Sequence, residues 1–259
     1  MTRQEVSDLI EKLAAVSARA SEPGAALASG GFILTPELRK LAGFIDHTLL
    51  RPDATQFHVE RLCHEALRFS FATAYVNPVW VSLAARMLYG SGVRVGTVAG
   101  FPLGASTTMQ KRAEAWTAIC VGACEIDMVM DIGAAKSGDL DRVESDIHGV
   151  VEICREGGAV LKVILENAYL TDEEKVTACR IAEKAGADFV KTSTGFGPSG
   201  ATPADVHLMR QTVSPAVGVK AAGGIRSLSD ALHMLEAGAN RLGTSAGVAI
   251  LQEAAGLLV

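Results

Sequence analysis

One lysine lies in each of three short apolar segments: Val160-Leu161-Lys162-Val163-Ile164, Phe189-Val190-Lys191-Thr192 and Val217-Gly218-Val219-Lys220-Ala221. The three lysines are evenly spaced, because 29 residues separate position 162 from 191 and 29 separate 191 from 220. That interval is close to the length of one strand followed by one helix, about 30 residues. The pattern predicts that three successive parallel strands each carry a lysine at an equivalent position.

Apolar segments of strand length alternate with longer helical patterns from Thr35 onward. We predict eight strands, near residues 44–47, 71–76, 94–101, 125–132, 160–166, 189–194, 217–222 and 241–244. This alternation favours an α/β fold in which a parallel sheet closes into a (β/α)8 TIM barrel. A doubly wound open sheet is the alternative, but no G-x-G-x-x-G motif follows the first strand.

The 259 residues suit a single barrel domain with an N-terminal helical extension. We expect an amphipathic helix over residues 1–20 and a linker over 21–31, which is rich in Gly, Ala and Ser. The predicted division is therefore an extension over residues 1–35 and the barrel over residues 36–259.

Composition excludes several classes of partner. The net charge of −5 gives no basic footprint for nucleic acid or an anionic membrane surface, and no segment is apolar for long enough to span a bilayer. Five scattered cysteines, without partners at metal-site spacing, indicate reduced thiols and a cytoplasmic protein. The six histidines show no ligand cluster, so we expect no metal and no cofactor.

Polar residues inside the predicted strands mark a candidate site. Side chains alternate along a strand, so Asp46, Asp127 and the three lysines can all face the barrel interior, with Glu166 and Ser193 nearer its C-terminal mouth. A structural ion network is one explanation. A functional site is the other, because barrel interiors are normally filled with branched apolar side chains and buried charges are costly.

A pair of lysines on adjacent strands has a specific chemical consequence. Parallel strands lie about 4.8 Å apart, which allows the ammonium groups of Lys191 and Lys220 to approach within roughly 5 Å. At an effective dielectric near 20 their repulsion is about 3 kcal/mol, enough to lower one pKa by about two units. One lysine then becomes a free amine able to attack a carbonyl, while the other, with Asp127, can move protons. This constellation indicates a class I aldolase.

Two glycine-rich loops indicate a phosphate site. Gly223 and Gly224 follow the seventh strand, and Gly243 to Ser245 end the eighth. Barrels often bind phosphate with the backbone N–H groups of these two loops. The loop from Thr192 to Gly197, which includes Thr194 and Gly195, can supply further donors.

At these positions the chain resembles the 2-deoxyribose-5-phosphate aldolase family. The matching segments are Ile45-Asp46-His47-Thr48-Leu49-Leu50, Gly100-Phe101-Pro102-Leu103-Gly104, Glu125-Ile126-Asp127-Met128-Val129, Leu161-Lys162-Val163-Ile164-Leu165-Glu166, Val190-Lys191-Thr192-Ser193-Thr194-Gly195 and Val219-Lys220-Ala221-Ala222-Gly223-Gly224. They follow the family order over roughly residues 40–250.

The resemblance implies an eight-stranded barrel that reversibly cleaves 2-deoxy-D-ribose 5-phosphate to acetaldehyde and D-glyceraldehyde 3-phosphate in deoxyribonucleoside catabolism. By position it implies that Lys191 forms the Schiff base, that Lys220 lowers the pKa of Lys191 and transfers protons, and that Asp127 anchors the proton relay. Asp46 and Lys162 would complete the network. The implied phosphate-binding residues are Gly195, Gly223, Gly224, Gly243 and Ser245.

The chain departs from the family at two points. Some members carry a lysine where this chain has Phe196, which removes one possible phosphate cation. Some also end in a tyrosine-bearing tail, whereas this sequence ends Gly256-Leu257-Leu258-Val259, so we expect no tail-assisted proton transfer and a lower phosphate affinity.

Other functions stay open on sequence alone. A transaldolase-like or keto-acid aldolase would also use a barrel lysine, and the keto-acid enzyme would need a carboxylate-binding arginine, for which Arg226 and Arg241 are the candidates. A sugar-phosphate binding protein on the same fold would form no imine. The expected partner is a small sugar phosphate. The N-terminal helix and the segment Val79-Trp80-Val81 favour a homodimer or higher homo-oligomer.

Overall fold

The computed structural model describes residues 3–20 and 33–256. Within those residues the strands are β1 (Ile45–Leu49), β2 (Thr73–Val76), β3 (Arg94–Ala99), β4 (Glu125–Val129), β5 (Val160–Ile164), β6 (Phe189–Lys191), β7 (Gly218–Ala222) and β8 (Arg241–Thr244). The helices are α1 (Arg3–Ala20), α2 (Pro36–Ala42), α3 (Gln56–Phe69), α4 (Val81–Leu88), α5 (Thr108–Cys120), α6 (Ile132–Lys136), α7 (Leu140–Gly157), α8 (Asp172–Ala185), α9 (Pro203–Thr212), α10 (Leu228–Glu236) and α11 (Gly247–Ala254).

The eight strands form one closed barrel. Each strand pairs in parallel with the next, and β8 closes the sheet by pairing with β1. The predicted TIM barrel is confirmed, and the doubly wound open sheet is excluded because the sheet has no free edge. At least one helix follows each strand on the outside, as parallel connections require.

Local sequence signals explain where the helices begin. Thr107, Thr171 and Ser227 each form a capping box, in which the side chain and the third helical residue bond reciprocally to backbone N–H groups. Thr202 caps α9 ahead of Pro203, whose missing N–H costs nothing at that position. These caps start four helices, each on the C-terminal side of a strand, and so fix where the loops of the barrel mouth end.

Four strands end earlier than the sequence predicts. β3, β4, β5 and β6 end at Ala99, Val129, Ile164 and Lys191, whereas the apolar segments suggested continuations of two to three residues. The backbone turns away at those points: Asp131 becomes the N-cap of α6, and Glu166 adopts a left-handed conformation with φ 55°. The residues after each strand form the barrel mouth instead.

The N-terminal helix packs on the barrel. Leu9 and Leu13 of α1 are buried in the core, and α1 contacts α2, α10 and α11. The predicted linker over residues 21–31 and the C-terminal residues 257–259 lie outside the described residues. Within the described part, no helix combines the length and apolar character needed to cross a membrane.

Candidate active site

Asp127 is the centre of a buried charge network inside the barrel. Its Oδ2 atom accepts hydrogen bonds from Lys191 Nζ at 2.7 Å and from Lys220 Nζ at 2.8 Å. All three side chains are buried, and their strands bring them together from β4, β6 and β7. Burial alone would raise the pKa of Asp127, but Lys191, Lys220 and Lys162 hold that pKa well below its usual range.

Lys191 is the lysine with the lowered pKa. Desolvation is the largest cause, and repulsion by Lys220 lowers the pKa further, while the carboxylate of Asp127 opposes both; the result is a pKa of about 8. The sequence argument considered only the neighbouring cation, and Lys220 does lower the pKa of Lys191, but it is not the largest cause. Because Lys191 is buried, removal of water from its ammonium group contributes more than the repulsion of Lys220.

Lys220 remains a cation. Desolvation would lower its pKa, but Asp127 and Asp46 together raise the pKa above its ordinary value. The Asp46 contact is an ion pair of 2.6 Å between Lys220 Nζ and Oδ2. Two lysines on one carboxylate therefore differ in pKa, and Lys191 is the more easily deprotonated.

Lys162 lies deeper in the barrel interior, toward its N-terminal end. Its ammonium group bonds to Glu125, and it donates to the hydroxyl of Tyr75 at 2.5 Å. Arg241 closes the N-terminal end by pairing with Asp46 at 2.7 Å and with Glu125 at 3.4 Å. Asp46, Asp127 and the three lysines therefore do converge in the interior of the barrel, as the sequence predicts.

Sequence reasoning missed Tyr75 and Glu125, both of which are fully buried in this network. The signal for Glu125 was its alternation with Asp127 on one strand, since residues two apart share a face. The signal for Tyr75 was a glycine in the neighbouring strand: Tyr75 pairs with Gly96, and a Cβ at Gly96 would lie 2.4 Å from the tyrosine ring.

The C-terminal mouth of the barrel is a cavity of about 300 Å³. Lys191 lines it, together with residues from the loops after strands β1, β6, β7 and β8. All six residues predicted to bind phosphate line this cavity: Thr194, Gly195, Gly223, Gly224, Gly243 and Ser245. Gly195 and Gly223 have φ of +87° and +85°, conformations that favour glycine and that leave the backbone open to a ligand.

The carboxylate of Glu166 fixes the loop after β6 by hydrogen bonds. Glu166 accepts hydrogen bonds from the backbone N–H and the hydroxyl of Thr194, and the Thr194 hydroxyl accepts one from the N–H of Phe196. Glu166 and Ser193 are buried near the mouth, as their strand positions suggested. Phe196 is 51% exposed and contacts Phe101 edge to face, so this rim of the cavity is aromatic rather than cationic.

The two arginine candidates for a substrate carboxylate have different positions. Arg226 lines the cavity. Arg241 lies at the first residue of β8, at the opposite end of the barrel, and its guanidinium is engaged by Asp46 and Glu125.

His47 bonds to Glu65 at 2.7 Å and packs on Phe71. Across the described residues, no three His, Cys, Asp or Glu side chains are grouped to hold a metal ion.

This arrangement supports one type of reaction best. A lysine amine with a pKa of about 8 lies at the floor of a cavity, beside a fixed cation and a fixed carboxylate, below glycine-rich loops. Such an amine is a nucleophile toward aldehydes and ketones, and its neighbours can donate and accept protons.

Comparison with known proteins agrees with this chemistry. The family model described as DeoC/LacD family aldolase matches residues 41–253. A deoxyribose-phosphate aldolase of Streptococcus pneumoniae serotype 19F is 59% identical over 213 residues, which cover 82% of this chain and 96% of that protein. The deoxyribose-phosphate aldolase of Geobacillus sp. strain WCH70 is 54% identical over 212 residues, 82% of this chain and 95% of that protein.

A solved structure supports the same fold assignment. The deoxyribose phosphate aldolase from Aeropyrum pernix, described as having a unique tetrameric structure, superposes with a TM-score of 0.79 at 33% identity. The match covers 93% of this chain and 96% of that chain.

Proposed function

The chain belongs to the DeoC/LacD family of aldolases, and from this premise we propose how its site works on 2-deoxy-D-ribose 5-phosphate. The protein is a class I deoxyribose-phosphate aldolase, which reversibly cleaves that substrate to acetaldehyde and D-glyceraldehyde 3-phosphate in deoxyribonucleoside catabolism. The observation that carries the residue roles is the placement of Lys191, with its lowered pKa, at the floor of a cavity rimmed by glycine loops.

In the proposed mechanism, Lys191 acts first. Its neutral amine attacks the C1 aldehyde of the open-chain substrate, forming a C–N bond, and the carbinolamine then loses water to give a protonated imine. Lys220 supplies the proton that the departing hydroxyl needs, since its ammonium group lies beside Lys191 on the same carboxylate oxygen. Asp127 holds both nitrogens in place.

Carbon–carbon cleavage follows. The C3 hydroxyl loses its proton, the C2–C3 bond breaks, and its electron pair moves into the iminium to give an enamine and D-glyceraldehyde 3-phosphate. Protonation of the enamine at C2 and hydrolysis of the imine then release acetaldehyde and restore the amine of Lys191. Asp127 and Lys220 are the groups proposed to exchange these protons, because both lie beside Lys191 and are shielded from bulk water.

Phosphate binding is assigned to the loops at the cavity rim. Thr194, Gly195, Gly223, Gly224, Gly243 and Ser245 line the cavity, and glycine permits close approach of backbone N–H groups to an anion. Asp46 and Lys162 are assigned a supporting role, since Asp46 pairs with Lys220 and both lie below the cavity. Phe196 contributes no charge to this rim.

A keto-acid aldolase is supported less well. It requires a free arginine inside the barrel for the substrate carboxylate, and Arg241 is already paired with two carboxylates at the other end. Arg226 lies among the phosphate loops, where it suits a phosphate as well as a carboxylate.

The test is a substrate comparison with purified protein. Acetaldehyde release is measured from 2-deoxy-D-ribose 5-phosphate and from 2-deoxy-D-ribose, and pyruvate release is measured from a 2-keto-3-deoxy acid. We expect cleavage of the phosphate ester with the highest kcat/KM, a lower value without the phosphate, and none with the keto acid. Activity on the keto acid alone would contradict the assignment.

The remaining assignments belong to the same proposal. Residues 1–35 form an extension without a catalytic role, residues 36–259 form the aldolase barrel, and the protein acts in the cytoplasm, where its five free thiols stay reduced. A homodimer or higher homo-oligomer is supported by the exposed side chain of Val79, although Val81 of the same predicted segment is buried in the core. Size-exclusion chromatography with light scattering tests the oligomeric state.

A further inference from the structure

Asp127 does not by itself decide which of the two lysines stays charged. Its Oδ2 atom lies 2.7 Å from Lys191 Nζ and 2.8 Å from Lys220 Nζ, so it attracts the two cations about equally. The difference between the lysines has to come from their other neighbours. On β1, Asp46 pairs with Lys220, and on β2 the ring of Tyr75 lies against it.

The aromatic contact on Lys220 is close. Its Nζ lies 3.7 Å from the centroid of the Tyr75 ring, well within the range of a cation–π interaction. Lys162 lies farther from the same ring, at 4.9 Å. In a site shielded from water such a contact is strongest, because the ammonium group has no hydration to lose.

The position of this ring is prepared by the next strand. Tyr75 pairs with Gly96, where a Cβ would lie 2.4 Å from the ring carbons. Only a glycine leaves room for the tyrosine to extend into the barrel interior. The Tyr75 side chain is fully buried, and the lysines separate it from the cavity, so it does not contact a bound substrate.

The hydroxyl of Tyr75 has a second contact with the same machinery. It donates to Asp127 Oδ1 at 2.7 Å and accepts from Lys162 Nζ at 2.5 Å. The donor on Oδ1 fixes the carboxylate plane, so that the other oxygen, Oδ2, points at the two lysines. The pKa of Tyr75 is raised well above its ordinary value, first by burial and then by the nearby carboxylates, so the hydroxyl keeps its proton.

We propose that Tyr75 is a positioning residue for the aldol reaction: its ring holds Lys220 as the ammonium ion, and its hydroxyl orients Asp127 toward both lysines. This inference rests on the proposed function. It adds a residue whose side chain acts through Lys220 and Asp127 and that never meets the substrate.

The proposal has a consequence for the pH profile. The Tyr75 ring stabilises charged Lys220 both before and after Lys191 loses its proton. The acid limb of the pH–activity profile reports deprotonation of Lys191 and therefore does not depend on the ring. The alkaline limb reports loss of the Lys220 proton and does depend on it. The charged and titratable groups around Lys220 are Asp46, Tyr75, Asp127, Lys162, Lys191 and Arg241. An apolar replacement at position 75 removes Tyr75 alone from this set, so comparison with a phenylalanine at that position isolates the ring.

The test separates ring from hydroxyl with two variants. Tyr75→Phe keeps the ring and removes the hydroxyl; Tyr75→Leu removes both. For the phosphate substrate we expect Tyr75→Phe to lose about tenfold in kcat, with KM and the alkaline limb unchanged, as for the loss of one charge-assisted hydrogen bond. We expect Tyr75→Leu to lose at least as much in kcat, and its activity to fall at a pH about one unit lower than in the unmodified protein.

Three results would overturn the proposal: both variants within twofold of the unmodified kcat, an alkaline limb of Tyr75→Leu that coincides with that of Tyr75→Phe, or a loss that appears only in KM. If Tyr75→Leu does not fold, Tyr75→Met serves as the variant without a ring. Failure of the unmodified protein to cleave the substrate would instead count against the proposed function, so the two failures are distinguishable.

Discussion

Lys191 and Lys220 donate to one and the same atom, Asp127 Oδ2, although they come from different strands and their pKa values are shifted in opposite directions. The register of the barrel explains the geometry, since β6 and β7 pair these two lysines directly. One carboxylate oxygen thus holds a nucleophile and a proton donor side by side. The predictions below test what each partner contributes.

Replacing Asp127 with Asn removes the shared charge. We expect kcat to fall by about 10² to 10⁴, as for loss of a general acid–base group, and stability to fall by about 3–5 kcal/mol because buried lysines lose their counter-ion. Steady-state kinetics and urea unfolding measure the two effects. Asp172→Asn is the control, since Asp172 is exposed and pairs with Lys175 at the surface, and it should change stability by less than about 0.5 kcal/mol. An active, equally stable Asp127→Asn protein would remove Asp127 from the site.

Replacing Lys220 with Met tests repulsion between the lysines. The activity rises with pH as Lys191 loses its proton, with a midpoint near its pKa of about 8. Without Lys220 the repulsion is gone and Asp127 is no longer shared, so the pKa of Lys191 rises and the acid limb moves to higher pH by about one to two units. Lys184→Met, on the surface, is the control. A limb that stays in place would show that burial alone sets the pKa of Lys191.

Replacing Phe196 with Lys adds a cation to the cavity rim. We expect KM for 2-deoxy-D-ribose 5-phosphate to fall by roughly fivefold at low salt, about 1 kcal/mol, and the gain to shrink as salt screens the charge. KM for unphosphorylated 2-deoxy-D-ribose is the control and should not fall. An equal effect on both sugars would place the phosphate away from this loop.

Replacing Gly96 with Ala tests the space reserved for Tyr75. A Cβ there would lie 2.4 Å from the ring, so the ring or the strand must move, and we expect a loss of about 1–3 kcal/mol in unfolding free energy together with lower kcat. Gly43→Ala is the control, because its nearest contact would be 3.4 Å and its φ of −64° suits alanine. Urea unfolding of both variants makes the comparison. Equal stability of the two would show that Tyr75 is not confined by Gly96.

The sequence predicts the fold well because its signals are local. Apolar strands, capping boxes and the even spacing of Lys162, Lys191 and Lys220 each reflect one strand–helix unit, and the closed sheet repeats that unit eight times. The ends of the strands were predicted less well. Residues such as Asp131 and Glu166 continue an apolar segment in sequence but turn the backbone in space, through a helix cap and a left-handed conformation.

The site was predicted in part. Charged residues in apolar strands are conspicuous, so Asp46, Asp127 and the lysines could be found from alternation alone. Tyr75 was harder to find, because an aromatic residue in a strand is ordinary core until the strand register shows that Gly96 lies opposite it. The balance of causes at Lys191 also needed the structure, since the sequence shows that Lys220 is near but not how completely water is excluded.

The central claim is that Lys191, alone among the three lysines of the barrel interior, is the amine that forms the covalent intermediate. The most direct measurement is to incubate the protein with acetaldehyde at pH 8, reduce with borohydride, and map the modified peptide by mass spectrometry. We predict one adduct, on Lys191, which is lost in Lys191→Leu and retained in Lys184→Met. An adduct on Lys220 or Lys162 instead, or none at any pH, would contradict the account.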